Sequence, residues 1–193
     1  MSRWEPDAAR RLQQAAFDLY TERGYDQTTV AEIAARAGLT ERTFFRHFAD
    51  KREVLFAGSD QFRAAVVDPV AAAPPSATPL EAVAAGIEAA GSAFPALELV
   101  RRRHYLIRAN PELQERELNK LASLAASLAG AMRRRGVPDT AAELAAESGV
   151  SVLRIALRRW IEDPEEQPWQ IHVRQTMDEL RWLTAERTPA ASP

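Results

Sequence analysis

The feature that most limits this chain's fold is the absence of any sustained apolar–polar alternation carried by β-branched residues. Strands need that period of two, and no stretch supplies it. Alanine, leucine, arginine and glutamate fill the runs between breaks instead, and all four are strong helix formers. The sequence therefore predicts an all-α fold. Proline and glycine mark the breaks. Gly24 stops a first helix inside "RGYDQTT", with Thr28 or Thr29 as the next N-cap. "FP" at 94–95 and "NP" at 110–111 each end a helix, because a residue before proline avoids the α region. "RRRGVPDT" closes another, and Thr140 with Glu143 predicts a capping box for its successor. Nine helices result, over about 7–22, 29–36, 40–46, 50–69, 79–93, 96–109, 111–135, 140–162 and 166–185. The proline-rich stretch 70–79 is the longest break and reads as a hinge.

Composition excludes several chemistries. The 193 residues include no cysteine, so disulfides, thiolate metal sites and a cysteine nucleophile are out. His47, His104 and His172 lie too far apart for metal-ligand spacing. There is no nucleophile elbow, no phosphate-binding loop and no paired histidine and acid, so we expect neither enzyme nor cofactor. No apolar run is long enough to span a membrane, and no signal segment opens the chain, so we expect a cytoplasmic protein.

Net charge is −2, but its distribution matters more. Between Arg36 and Arg52 stand five basic residues (Arg36, Arg42, Arg46, Lys51, Arg52) and two acids (Glu41, Asp50), a local +3. Within this patch lies "GLTERTFFRHFADK". Before it, Val30, Ile33, Ala34 and Ala37 form one apolar stripe. Gly38 then permits a sharp turn, Thr40 caps a second short helix, and Phe44 and Phe48 face inward at i and i+4. Two short helices about a glycine turn form a helix-turn-helix. The outward face carries Glu41, Arg42, Thr43, Phe45, Arg46 and His47. Such a face suits a DNA major groove, with Arg42 as a bidentate partner for guanine and Thr43 for a phosphate or a thymine methyl. Thr28, Thr29, Arg36, Thr40 and Lys51 complete the expected DNA set, Lys51 as a phosphate contact. The alternative is an ordinary helical hairpin with a solvated basic face.

"TTVAEIAARAGLTERTFFRHFADKREVLF", with the lead-in "FDLYTERGYDQTT", resembles the DNA-binding domain of TetR-family transcriptional regulators over residues 8 to 56. The resemblance implies a homodimer that binds double-stranded operator DNA through residues 1–50, with residues 51–188 binding a small-molecule effector and dimerising. The chain departs from the family pattern in two places. Phe45 replaces a common tyrosine, and so packs on sugar or a thymine methyl instead of bonding a phosphate. Glu41 and Arg42 stand where lysine and glycine are frequent. Glu41 either repels phosphate or accepts from cytosine N4.

"FPALELVRRRHYLIRANPELQERELNKL" resembles the subgroup with acyl-CoA-like ligands. Arg103 sits amid an apolar face of Leu99, Val100, Leu106 and Ile107 and needs a partner. That partner is an internal acid (Glu88, Glu117 or Glu147), a ligand's anionic group, or water reached by snorkelling. Phe94, Arg103, Ile107, Leu124 and Leu128 are the candidate pocket residues. The stripe of Leu118, Leu121, Leu124, Ala125, Leu128 and Met132 suits a core as readily as a pocket wall.

The helix 140–162 has two apolar faces. Ala146, Val150, Leu153, Leu157 and Trp160 form one; Leu144, Ser148, Ser151, Val152 and Ile155 form the other. With Trp169, Val173 and Leu180 of the last helix, the second face predicts an isologous dimer interface. Two further readings stay open: a DNA-binding dimer without effector, and a small-molecule carrier with a vestigial helix-turn-helix.

Overall fold

The computed structural model describes residues 8–185. Among these the fold is all-α, with nine α-helices. They are α1 (Ala8–Arg23), α2 (Val30–Arg36), α3 (Glu41–His47), α4 (Ser59–Ala72), α5 (Pro79–Ala89), α6 (Leu97–Ala109), α7 (Pro111–Arg134), α8 (Asp139–Glu162) and α9 (Trp169–Thr184). Two 3-10 turns, Glu53–Phe56 and Ala90–Ala93, join them.

The chain packs as two compact units. The first takes the residues up to Asp60 together with Pro95–Lys120; the second takes Gln61–Phe94 and the residues from Leu121 onward. In the first, α1 packs on α2, α3 and α6, and α2 packs on α3. Its core is Leu12, Leu19, Tyr20, Ile33, Phe44 and Val54, joined by Ile107 from α6 and Leu113 from α7. In the second, α5, α8 and α9 pack on one another. Its core is rich in small residues: Val83, Ile87, Ala142, Ala146, Ala156 and Val173, with Met132 and Trp169 as the large members. Close packing there depends on glycine. A methyl at Gly149 would lie 2.4 Å from the Val83 Cγ1, and one at Gly86 would lie 2.3 Å from the Val66 carbonyl oxygen.

Several sequence expectations need correction. The expected helix 50–69 breaks, because Gly58 adopts φ +83° between the Glu53–Phe56 turn and α4. The helix then runs through Pro69 to Ala72, which shortens the expected hinge. That hinge also joins two helices of the same unit. The capping box lies elsewhere than at Thr140 and Glu143. α8 starts one residue earlier, with Pro138 at the cap and its carbonyl accepting from Ala142. Glu143 instead meets Arg133 at 2.8 Å. True capping boxes form at Thr29–Glu32 and Thr78–Glu81.

Candidate nucleic-acid interface

The turn between α2 and α3 is built by Gly38 at φ +65°. Its N–H donates to the Ala35 carbonyl, and the Leu39 N–H reaches back to Ala34 at 2.8 Å. This pair of bonds is a Schellman closure, which only a left-handed residue after the cap allows. Thr40 then caps α3, its hydroxyl accepting from the Thr43 N–H at 3.2 Å. Phe44 is fully buried, and Phe48 packs beside it with ring centroids 5.6 Å apart. These anchors fix which face of α3 turns outward.

That face carries Glu41, Arg42, Phe45, Arg46 and His47, all exposed, with Thr43 half-buried. Phe45 is 55% exposed, and its ring stands edge-on to Phe44 at 5.5 Å. Arg42 and Arg46 make no ion pair among the described residues. The Thr40 and Thr43 hydroxyls share one hydrogen bond of 3.0 Å, so one hydroxyl hydrogen of the two stays available.

The other sequence candidates are already engaged. Arg36 holds Glu22 through two bonds of 3.0 and 2.7 Å, and this contact lowers the Glu22 pKa below its ordinary value. Thr28 is buried and its hydroxyl donates to the Gly24 carbonyl. Thr29 gives both its N–H and its hydroxyl to Glu32, whose pKa falls because the Thr29 backbone N–H binds its carboxylate. A carboxylate thus occupies the α2 N-terminus, where a phosphate would be repelled. Lys51 directs its ammonium at the carbonyls of Tyr25 (2.9 Å), Thr28 (3.1 Å) and Asp26 (3.4 Å). Of the expected basic patch, α3 alone keeps its guanidinium groups unpaired.

Arg103 finds its partners inside the first unit. Its Nε–H donates to the Leu55 carbonyl at 2.9 Å, its Nη1 meets Glu117 at 3.2 Å, and its guanidinium lies over the Phe56 ring. Among the three acids considered for it, Glu117 is the one engaged. Sequence reasoning missed the neighbouring set of Glu53 with Arg116 and Lys120. Periodicity gave no signal, because Glu53 lies in a 3-10 turn 63 residues before Arg116. The pocket candidates divide: Arg103 and Ile107 belong to the first unit, while Phe94, Leu124 and Leu128 belong to the second. Phe94 sits among Phe62, Trp160 and Trp169, with ring centroids 5.1–5.2 Å away.

The dimer candidates divide as well. On α8, Leu144 is 64% and Ile155 40% exposed, Ser151 is exposed and Ser148 half-buried. Val152, expected on that face, is buried in the core. On α9, Trp169 and Val173 are core residues and Leu180 packs partly against them. The exposed apolar groups of α9 are Trp182 and Leu183, at 67% and 70%. Trp182 was not foreseen, because it falls off the stripe of Trp169, Val173, Thr176, Leu180 and Leu183.

Known proteins match this arrangement. Residues 7–57 match the family model described as bacterial regulatory proteins, tetR family. The HTH-type transcriptional regulator TcmR of Streptomyces glaucescens is 34% identical over 79 residues, 41% of this chain. The match spans 35% of that relative's length, about a third. Among solved structures, a SmeT–triclosan complex aligns with TM-score 0.65 and 19% identity over 95% of this chain and 99% of that one. A Bacillus subtilis FadR bound to stearoyl-CoA aligns with TM-score 0.61 and 19% identity over 89% and 96%. Thermus thermophilus FadR with lauroyl-CoA aligns with TM-score 0.57 and 21% identity over 96% and 100%. Among the described residues, no single helix is long and apolar enough to cross a membrane. Residues 7–57, which hold the helix-turn-helix, thus match the tetR family of bacterial regulatory proteins, and the all-α fold is similar to these solved structures along most of the chain's length.

Proposed function

We propose that this protein is a repressor that binds a two-fold symmetric operator as a homodimer and releases it on binding a largely apolar small molecule. One observation carries the DNA reading: α3 rests on buried Phe44 and presents Arg42, Phe45, Arg46 and His47 outward, with neither arginine in an internal ion pair. Guanidinium groups on an anchored helix suit base edges and phosphates. Contacts to the DNA phosphates then fall first to α3, since Arg36, Thr29 and Lys51 are engaged internally.

The dimer reading draws on α8 and α9, which pack together and expose Leu144, Ile155, Trp182 and Leu183. Exposed large apolar groups on adjoining helices fit a second copy of the chain. The effector reading draws on the half-buried aromatic group of Phe62, Phe94 and Trp160, and on relatives whose complexes hold triclosan or an acyl-CoA. An anionic head group at Arg103 loses its support, since Glu117 and the Leu55 carbonyl engage that guanidinium. A dimer that binds DNA without an effector is the second reading.

The test is selection of bound duplexes from a random pool, followed by gel shift with the selected site and the gene's upstream region. A palindrome with half-site centres about 34 Å, or a multiple, apart is expected. Absence of any selected sequence would sink the proposal. A panel of fatty acyl compounds and apolar aromatics is then screened for thermal stabilisation coupled to DNA release. Stabilisation without release would favour a carrier.

A further inference from the structure

Lys51 stands four residues after the end of α3, and the loop 24–28 stands just before α2. The two are bonded to each other. The Lys51 ammonium has three N–H donors, and three backbone carbonyls surround it: Tyr25 at 2.9 Å, Thr28 at 3.1 Å and Asp26 at 3.4 Å. The same ammonium lies 4.3 Å from the centre of the Tyr25 ring, a cation–π contact. The Lys51 backbone is held from the other side, where the buried Tyr20 hydroxyl donates to its carbonyl at 2.7 Å. Tyr20 and Tyr25 in turn pack with ring centroids 5.2 Å apart. Lys51 thus ties the segment entering the helix-turn-helix to the segment leaving it.

From this we infer that Lys51 is a positioning residue for operator recognition: its ammonium clasps residues 25–28 to the end of α3, closes the helix-turn-helix into a ring, and makes no phosphate contact. The inference rests on the reading of α3 as the DNA-contacting helix. The physical argument is donor capacity. With three carbonyls on three N–H groups, a phosphate could bind only by displacing one of them, and the two shorter bonds, to Tyr25 and Thr28, are partly buried. A point charge on a flexible stem suits three carbonyls around one nitrogen, whereas the planar guanidinium spreads its donors over three nitrogens. The clasp therefore depends on lysine and not on positive charge alone.

The test uses full-length Lys51→Met and Lys51→Arg, at a temperature where each is fully folded by circular dichroism. A clasp predicts that both variants lose operator affinity by about tenfold, the size of one specific contact. Binding to non-specific DNA should change less than about twofold, and the slope of log affinity against log salt should stay unchanged, because no counterion release is lost. Faster hydrogen exchange across residues 24–29 in the free variants is the matching signature without DNA. A phosphate contact predicts the opposite: Lys51→Arg binds as the parent does, while Lys51→Met weakens all DNA equally and flattens the slope by about 0.9 per contact. That result would overturn the inference. So would a lower melting temperature with unchanged operator affinity, which marks a purely structural lysine. If the parent protein selects no DNA sequence, the proposed function fails, and exchange at 24–29 still decides whether the clasp exists.

Discussion

Arg103 is bound to the backbone of Leu55, its Nε–H 2.9 Å from that carbonyl oxygen. Glu117 meets the same guanidinium at 3.2 Å, and the Phe56 ring lies under it. α6, α7 and the Glu53–Phe56 turn are thereby joined around one cation in the first unit. Sequence reasoning left Arg103 with three choices, an internal acid, a ligand's anionic group or water, and among them the internal acid Glu117 is engaged. Arg103→Met should therefore lower stability by about 1–2 kcal/mol, since the ion pair is about a third exposed and its charge-assisted bonds are partly screened. Glu117→Gln should lower it less, because the amide still accepts a hydrogen bond. The double variant should lose less than the sum of the two, as contacting residues do. Urea unfolding monitors all three. Additive losses would show that the pair does not interact.

Phe44 and Phe45 are neighbours with opposite assignments. Phe44→Ala should cost about 3–5 kcal/mol, as a fully buried aromatic does. Phe45 is 55% exposed, so Phe45→Ala should leave the melting temperature within about 2 °C while weakening operator binding. Replacing each half-site thymine in turn by deoxyuridine, which lacks the methyl group, locates the contact. At one position the parent should lose affinity on that replacement and Phe45→Ala should not. Equal melting losses for the two variants would reverse the assignment.

Arg36 and Arg42 test which guanidinium groups face DNA. Arg42→Ala should cost about 1–3 kcal/mol at one base pair per half-site and relax preference there. Arg36 is occupied by Glu22, so Arg36→Ala should change operator affinity by less than about twofold, within the range of neutral surface substitutions. A salt slope flattened by about 0.9 per contact in Arg36→Ala would instead return that residue to the phosphate set.

What the sequence made legible follows from what kind of signal each feature leaves. The buried stripe of α2, the glycine turn at Gly38 and the inward Phe44 are local and periodic, and they lie where the pattern puts them. Partnerships are different. Nothing in the spacing of Arg36 and Glu22, or of Lys51 and Tyr25, announces that they touch, because tertiary packing brings them together. A net +3 patch therefore reads as a broad DNA surface until its charges are seen to be spent internally. The same limit explains Leu118. It shares a stripe with Leu124 and Leu128, yet it is 58% exposed, because α7 serves the first unit at Leu113 and the second from Leu121 onward. One stripe does not serve two cores.

The dimer surface makes the remaining prediction. On α8, Leu144, Ser148, Ser151 and Ile155 recur at intervals of four, three and four, so they share one helical face. Leu144 and Ile155 are exposed on it, whereas Trp169, placed with them by the sequence pattern, is 3% exposed. Its indole Nε1–H donates to the Ile87 carbonyl at 2.9 Å, and its ring covers Gly91 so closely that a methyl there would lie 2.4 Å away. The two residues should therefore fail differently. Leu144→Glu places a carboxylate on the proposed interface and should shift the protein from dimer to monomer in sedimentation equilibrium, with each subunit still folded. Operator affinity should then drop by 10²-fold or more, on the order of what linking two half-site contacts contributes. Trp169→Ala should instead destabilise the second unit by about 3–5 kcal/mol, as loss of a buried aromatic does. A Leu144→Glu protein that sediments as a dimer at micromolar concentration would exclude this face of α8 from the interface and leave Trp182 and Leu183 as the surface to test next.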